Sequence, residues 1–148
     1  MSQDDRRIEL VTSPGYLLKV ASSALRAAME DVLRPLGMTV THYSCLELLA
    51  QRPGSSNSDL ARGAFVTRQS MNVLLRTLQR DGLVTRSDQA TSGRALPTEL
   101  TDAGRRQLAA ASAAVRDVED RMTADLQPGD RERLVTLLRR CADSLTDG

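Results

Sequence analysis

Apolar positions along the chain fall into stripes of helical period separated by short polar breaks. Leu18, Ala21, Leu25, Ala28, Met29 and Val32 recur at spacings of three and four, which predicts a first helix from about Pro14 to Arg34. Ser13 is its expected N-cap, Pro14 takes the first helical position, and "RPLG" stops it. A second helix is expected over Val40–Gln51 behind Thr39, with Cys45, Leu48 and Leu49 facing inward, before "RPGSSNS" breaks the chain. A short third helix follows from about Ser58 to Ala64, with Ser56 and Asp59 at capping-box spacing. Thr67 then caps a fourth, Arg68–Arg80, which an Asp81-Gly82 turn closes.

Past Gly82 the pattern changes to short strands. "LVTR" and "ALPTEL" flank the loop "SDQATSGR" and predict a β-hairpin; Pro97, which has no N–H for a ladder, belongs on an edge or at a bulge. Thr101 caps a long helix to about Leu126, striped by Leu108, Ala111, Val115, Val118 and Met122. "QPGD" ends it, and Pro128 starts a final helix that aligns Leu134, Leu137, Leu138, Cys141 and Leu145. The fold class is mainly α with a small hairpin. One domain is expected, with an N-terminal helical arm at 1–36, a central unit of short helices and hairpin at 37–100 and C-terminal helices at 101–148.

The fourth helix has two faces. At about 100° per residue, Met71, Leu74, Leu75 and Leu78 cluster in one apolar stripe. Opposite them Gln69, Val73, Arg76 and Arg80 form a straight row, with Asn72 beside it. Each type in that row suits a major groove: arginine can bind guanine with two hydrogen bonds, Gln or Asn can do so to adenine, and a small apolar group can meet the thymine methyl. Thr67, Arg68 and Ser70 stand at the helix N-terminus, where unpaired N–H groups and a partial positive charge suit phosphate.

Taken alone, the row is also what a solvated amphipathic face looks like. Order along the chain decides between the two. A short helix begun at Ser56, a break at "AFV", this helix, and then a hairpin with Arg86 near its base and Arg94 past its tip make a helix-turn-helix followed by a wing. Charge agrees with this. The net charge is +1, yet five arginines stand against two acids from Thr67 to Arg94, a local +3 that leaves −2 for the rest.

Composition removes several alternatives. Aromatics are 2% of the chain, which argues against the base stacking of single-strand binders. Two distant cysteines and one histidine lack metal-ligand spacing, and no glycine-rich phosphate loop is present, so no metal and no cofactor are expected. His42 and Cys45 are three apart but lack an orienting partner and an oxyanion site, so catalysis is not expected. Cys45 and Cys141 fall on apolar stripes and read as inert core. The chain shows neither an apolar run of about 20 residues nor a leader pattern, which predicts a cytoplasmic protein without a membrane partner.

"LGMTVTHYSCLELLA", "DLARGAFVTRQSMNVLLRTLQRDGLVTR" and "LTDAG", in that order and spacing, resemble the MarR (multiple antibiotic resistance regulator) transcription regulators, most closely from Leu36 to Gly104. The resemblance implies a winged helix-turn-helix homodimer whose first and last helices intertwine, and which reads a pseudo-palindromic double-stranded DNA site, commonly as a repressor. It implies DNA-contacting roles for Ser56, Thr67, Arg68, Gln69, Ser70, Asn72, Val73, Arg76, Arg80, Arg86 and Arg94. A small aromatic acid as effector, in a cleft between arms and DNA-binding lobes, would have Tyr16, Val20 and His42 as candidate contacts. His42 also fits a cap or surface position at the third residue of its helix, and the residue pattern favours that reading.

There are departures from the family pattern. The wing run Asp-Arg-Arg is replaced by Ser92-Gly93-Arg94, and Tyr16 and Leu17 stand where some relatives place a redox cysteine. The competing reading is a winged-helix module that binds a protein partner and no longer DNA. The retained arginines Arg76, Arg80, Arg86 and Arg94 speak against it.

Overall fold

The computed structural model describes residues 7–86 and 98–146. Its helices are α1 (Pro14–Leu33), α2 (Val40–Gln51), α3 (Asn57–Ala64), α4 (Arg68–Arg80), α5 (Asp102–Met122) and α6 (Asp130–Thr146); the strands are β1 (Val84–Arg86) and β2 (Thr98–Leu100). The architecture is the mainly helical, winged helix-turn-helix arrangement expected. Among the described residues, no helix is long and apolar enough to cross a membrane.

Side-chain caps set the helix starts. Ser13 accepts the Tyr16 N–H, Thr67 that of Ser70, and Thr101 that of Gly104. Thr39 with His42, and Ser56 with Asp59, form reciprocal capping boxes at α2 and α3. Each such cap contributes about 1 kcal/mol. α1, α2 and α4 begin and end within a residue of the expected positions.

The other end of the chain departs from expectation. α5 stops at Met122 rather than Leu126: beyond it the Ala124 and Leu126 N–H groups bond to the Arg121 and Thr123 carbonyls three residues back, so the chain tightens into turns and the α-helical ladder ends. α6 begins at Asp130, not at Pro128. Gly129 lies between them at φ 87, a left-handed conformation that a helix start cannot contain, and the Asp130 carboxylate accepts the Gln127 N–H.

The core is aliphatic. Leu33, Leu46, Leu60, Met71, Leu75, Leu78 and Val84 are fully buried, so α1 to α4 and the hairpin share one interior, which Leu108, Ala111 and Val115 of α5 complete. On α2 the buried set is Cys45, Leu46 and Leu49, with Leu48 only partly covered. α2 is flanked by α1, α3, α5 and β2, so its interior face is broader than one stripe. Burial pushes the Cys45 thiol up to about 12, which keeps it protonated and inert.

α6 lies apart from this core. None of its residues is buried, and Val135, Leu137, Leu138 and Leu145 face solvent. Cys141 is exposed as well, which corrects its reading as core: the apolar stripe it shares has no cover among the described residues. Arg131 ties the start of α6 to Asp120 at 2.7 Å and to Glu119 at 3.8 Å.

The hairpin pairs Val84 with Leu100, Thr85 with Glu99 and Arg86 with Thr98. Thr101 locks its base, donating its hydroxyl to the Gly82 carbonyl at 2.6 Å while capping α5. Gly104 lets α5 approach so closely that a Cβ there would lie 2.1 Å from the Leu83 carbonyl oxygen. Pro97 and the loop carrying Ser92, Gly93 and Arg94 lie outside the described residues.

Gly104→Ala is therefore expected to destabilise the fold by about 1–3 kcal/mol in urea unfolding. Gly15→Ala, where an added Cβ meets nothing, serves as the control and should cost nothing. Equal midpoints for the two variants would contradict the close approach.

Candidate nucleic-acid interface

α4 carries the candidate site, and its burial decides which side chains are available. Met71, Leu74, Leu75 and Leu78 point into the core. Thr67, Arg68, Gln69, Ser70, Arg76 and Arg80 are exposed, and Val73 is 56% exposed between them. The row expected opposite the apolar stripe is thus presented to solvent.

Among the described residues, Arg68 and Arg76 have no carboxylate within salt-bridge distance. Arg80 reaches Asp81 only at 3.8 Å, across solvent. Such an exposed pair is worth about 0–1 kcal/mol and leaves the guanidinium free to turn to another anion. Arg86, partly buried at the end of β1, places a further cation at the hairpin base.

Two expected contacts have other employment. Asn72 is half-buried, and its Oδ1 accepts a hydrogen bond from Asn57 Nδ2 at the start of α3. Through Oδ1 it braces the two helices of the motif, and it stands beside the exposed row with its amide N–H groups not used in that bond. The Ser56 hydroxyl accepts the Asp59 N–H at 3.0 Å, and its own N–H donates to the Asp59 carboxylate. Thr67 keeps an exposed position while its hydroxyl accepts the Ser70 N–H and donates to Ser70 Oγ.

Of the three candidate effector contacts, Tyr16 and Val20 do not line the cleft that holds His42. Tyr16 and Val20 are exposed on α1. His42 lines a separate cleft of about 130 Å³ with Met38, Leu46, Leu78, Asp81 and Gln107. Its Nδ1 accepts the Thr39 N–H at 3.3 Å, and its own N–H donates to Thr39 Oγ1 at 3.1 Å. Burial lowers the imidazole below its ordinary 6.5, with Asp81 pulling the other way. A neutral ring is what this cap requires, since a protonated Nδ1 cannot accept.

One polar cluster was not anticipated. Glu47 accepts from Tyr43 Oη at 2.6 Å, Gln51 Nε2 at 2.8 Å and Ser112 Oγ at 2.8 Å, joining α2 to α5. Burial raises the Glu47 carboxyl, but these donors and Arg116 outweigh it and hold the group below its ordinary value. The same contact and burial push the Tyr43 hydroxyl upward. The i, i+4 row Tyr43, Glu47, Gln51 was visible in the sequence; its partner on α5, 65 residues away from Glu47, was not.

The turn between α3 and α4 carries a second unanticipated feature. Phe65 sits there in the left-handed region, φ 59 and ψ 41, with its side chain 94% exposed.

The His42 geometry generates a pH dependence. A histidine with a lowered folded pKa stabilises fully above about 6.5, and that contribution falls as pH drops from 6.5 through the folded value. Melting temperature should decline between pH 7.5 and 5.5, and His42→Gln, which keeps a cap acceptor without titrating there, should flatten that decline. An identical slope in both proteins would contradict the cap.

Comparison with known proteins follows the same lines. The profile described as "MarR family" matches residues 36–95. An HTH-type transcriptional repressor of Mycobacterium tuberculosis is 44% identical over 119 residues, covering 80% of this chain and 86% of its own. A MarR family protein of Mycobacterium tuberculosis solved in complex with DNA superposes with a TM-score of 0.73 at 36% identity, covering 88% of this chain and 98% of its own. A complex with p-aminosalicylic acid gives 0.75 at 37% identity, with coverages of 88% and 99%.

Proposed function

The chain belongs to the MarR family, and from that premise we propose that it is a homodimeric repressor in which each α4 reads one half of a pseudo-palindromic duplex site. The observation that carries this is the outward row of α4, with free arginines and one stranded valine, set beside the hairpin base. Gln69, Val73 and Arg76 read base edges. Arg80, at the far end of the helix, holds phosphate, and the first-turn N–H groups beside Thr67, Arg68 and Ser70 hold another. Arg86 and Arg94 extend the contact along the wing.

Residues 37–100 form the DNA-binding lobe, and 1–36 with 101–148 supply the dimer arms. Leu17, Leu18 and Val20 of α1 and Leu137 and Leu138 of α6 are exposed in one chain, and a second copy covers them. The relative solved with p-aminosalicylic acid supports a small aromatic acid as effector. Such a ligand acts by binding one separation of the two α4 helices better than the other. With chromosomal DNA as its target, the protein works in the cytoplasm.

Gel-shift titration against a pool of duplexes tests the reading. Binding should fall steeply with salt as counterions are released. Gln69→Ala and Arg76→Ala should each cost about 1–3 kcal/mol on the preferred sequence and relax base preference. No retained duplex at low salt would refute the reading. The arms make a separate claim: Leu137→Glu with Leu138→Glu should shift sedimentation from dimer to monomer and abolish tight duplex binding. A variant that stays dimeric would place the interface elsewhere.

A further inference from the structure

The turn of the motif contains a residue that the fold does not explain. α3 ends in a Schellman arrangement: the Phe65 N–H bonds to the Arg62 carbonyl at 3.3 Å, and the Val66 N–H to the Ala61 carbonyl at 3.0 Å. That arrangement needs its penultimate residue in the left-handed region, the position glycine occupies in most helices that end this way. Here the position is filled by the sole phenylalanine of the chain, and among the described residues Phe65 alone is a non-glycine with positive φ. A bulky side chain there strains the backbone.

Among the described residues, no packing contact of the ring offsets that strain. The ring is 94% exposed, whereas Val66 beside it packs on the core. Glycine is nearby in sequence but stands elsewhere: Gly63 lies within α3, where an added Cβ would meet the Leu48 methyls at 2.9 Å. The hydrogen-bonded turn holds Phe65 two residues before Thr67, the cap of α4, and hence beside the end that presents Arg68, Gln69 and Ser70. An outlier that the fold does not need, rigidly held next to a binding surface, points to that surface.

We propose that Phe65 is a DNA-contacting residue whose ring packs on the deoxyribose face of the strand flanking the groove that receives α4. This rests on the reading of α4 as the duplex-reading helix. The contact is apolar, so it adds affinity without releasing counterions, and it positions the helix N-terminus against the backbone rather than reading a base.

The test uses the full-length protein and a duplex that the wild type selects from a randomised pool. Phe65→Gly relieves the backbone, so its melting temperature should equal or exceed that of wild type. Its affinity for the selected duplex should nevertheless fall roughly tenfold, the amount expected for a partly buried aromatic ring. The slope of log affinity against log salt should stay unchanged. Phe65→Asn, which tolerates the left-handed turn but has no ring, should show the same loss.

Either variant binding within twofold of wild type would overturn the proposal while leaving α4 as the reading helix. A reduced salt slope would also overturn it, because the ring would then act by arranging charged contacts. Failure of the wild type to select any duplex would instead sink the reading of α4 itself, and this proposal with it.

Discussion

Burial of Met71, Leu74, Leu75 and Leu78 is the constraint on which the remaining structure depends. Truncating one such buried leucine typically costs about 2–5 kcal/mol, so α4 cannot rotate about its axis without a large penalty. Rotation would be needed to hide Gln69, Val73 or Arg76. With the apolar stripe seated on α2, α3 and the hairpin, the opposite row has to face outward, and its guanidinium groups gain their freedom from that geometry. The neighbouring elements fix the direction of the same helix. Asn57 bridges to Asn72 from α3, Thr101 closes the hairpin base on Gly82, and Gly104 lets α5 press against Leu83.

The lobe and the arms obey different rules. In the lobe, short helices are stabilised by caps at nearly every start and by one shared aliphatic core. Outside it, α6 carries an apolar stripe with no cover among the described residues, and the first half of α1 exposes Leu17, Leu18 and Val20. Glu47 connects the two regimes. The bond from Ser112 ties α2 to α5, while those from Tyr43 and Gln51 fix the carboxylate along α2 itself.

Much of this was legible in the sequence because it is local. Ser13, Thr39, Thr67 and Thr101 announce helix starts through side chains three residues from their partners, and the stripe of α4 shows its period within one helix. What escaped depends on distant residues or on conformation. The brace from Asn57 to Asn72 was not visible because the two lie 15 residues apart on different helices. Cys141 looked like core because a stripe reveals that a face is apolar but not which chain covers it. His42 proved to be a cap, as its third position in α2 suggested, and the cleft it lines draws on residues from α4 and α5 that no local spacing reveals. Phe65 escaped because φ is not written in a residue name; only the turn it terminates makes its exposure unusual.

The central claim is that two copies of the outward α4 row read duplex sequence. Selection of duplexes from a randomised pool by the wild-type protein, followed by sequencing of the bound fraction, tests it most directly. A two-fold symmetric motif with half-sites about 10 base pairs apart is the expected result. Enrichment of no sequence, or of a single asymmetric half-site, would contradict it.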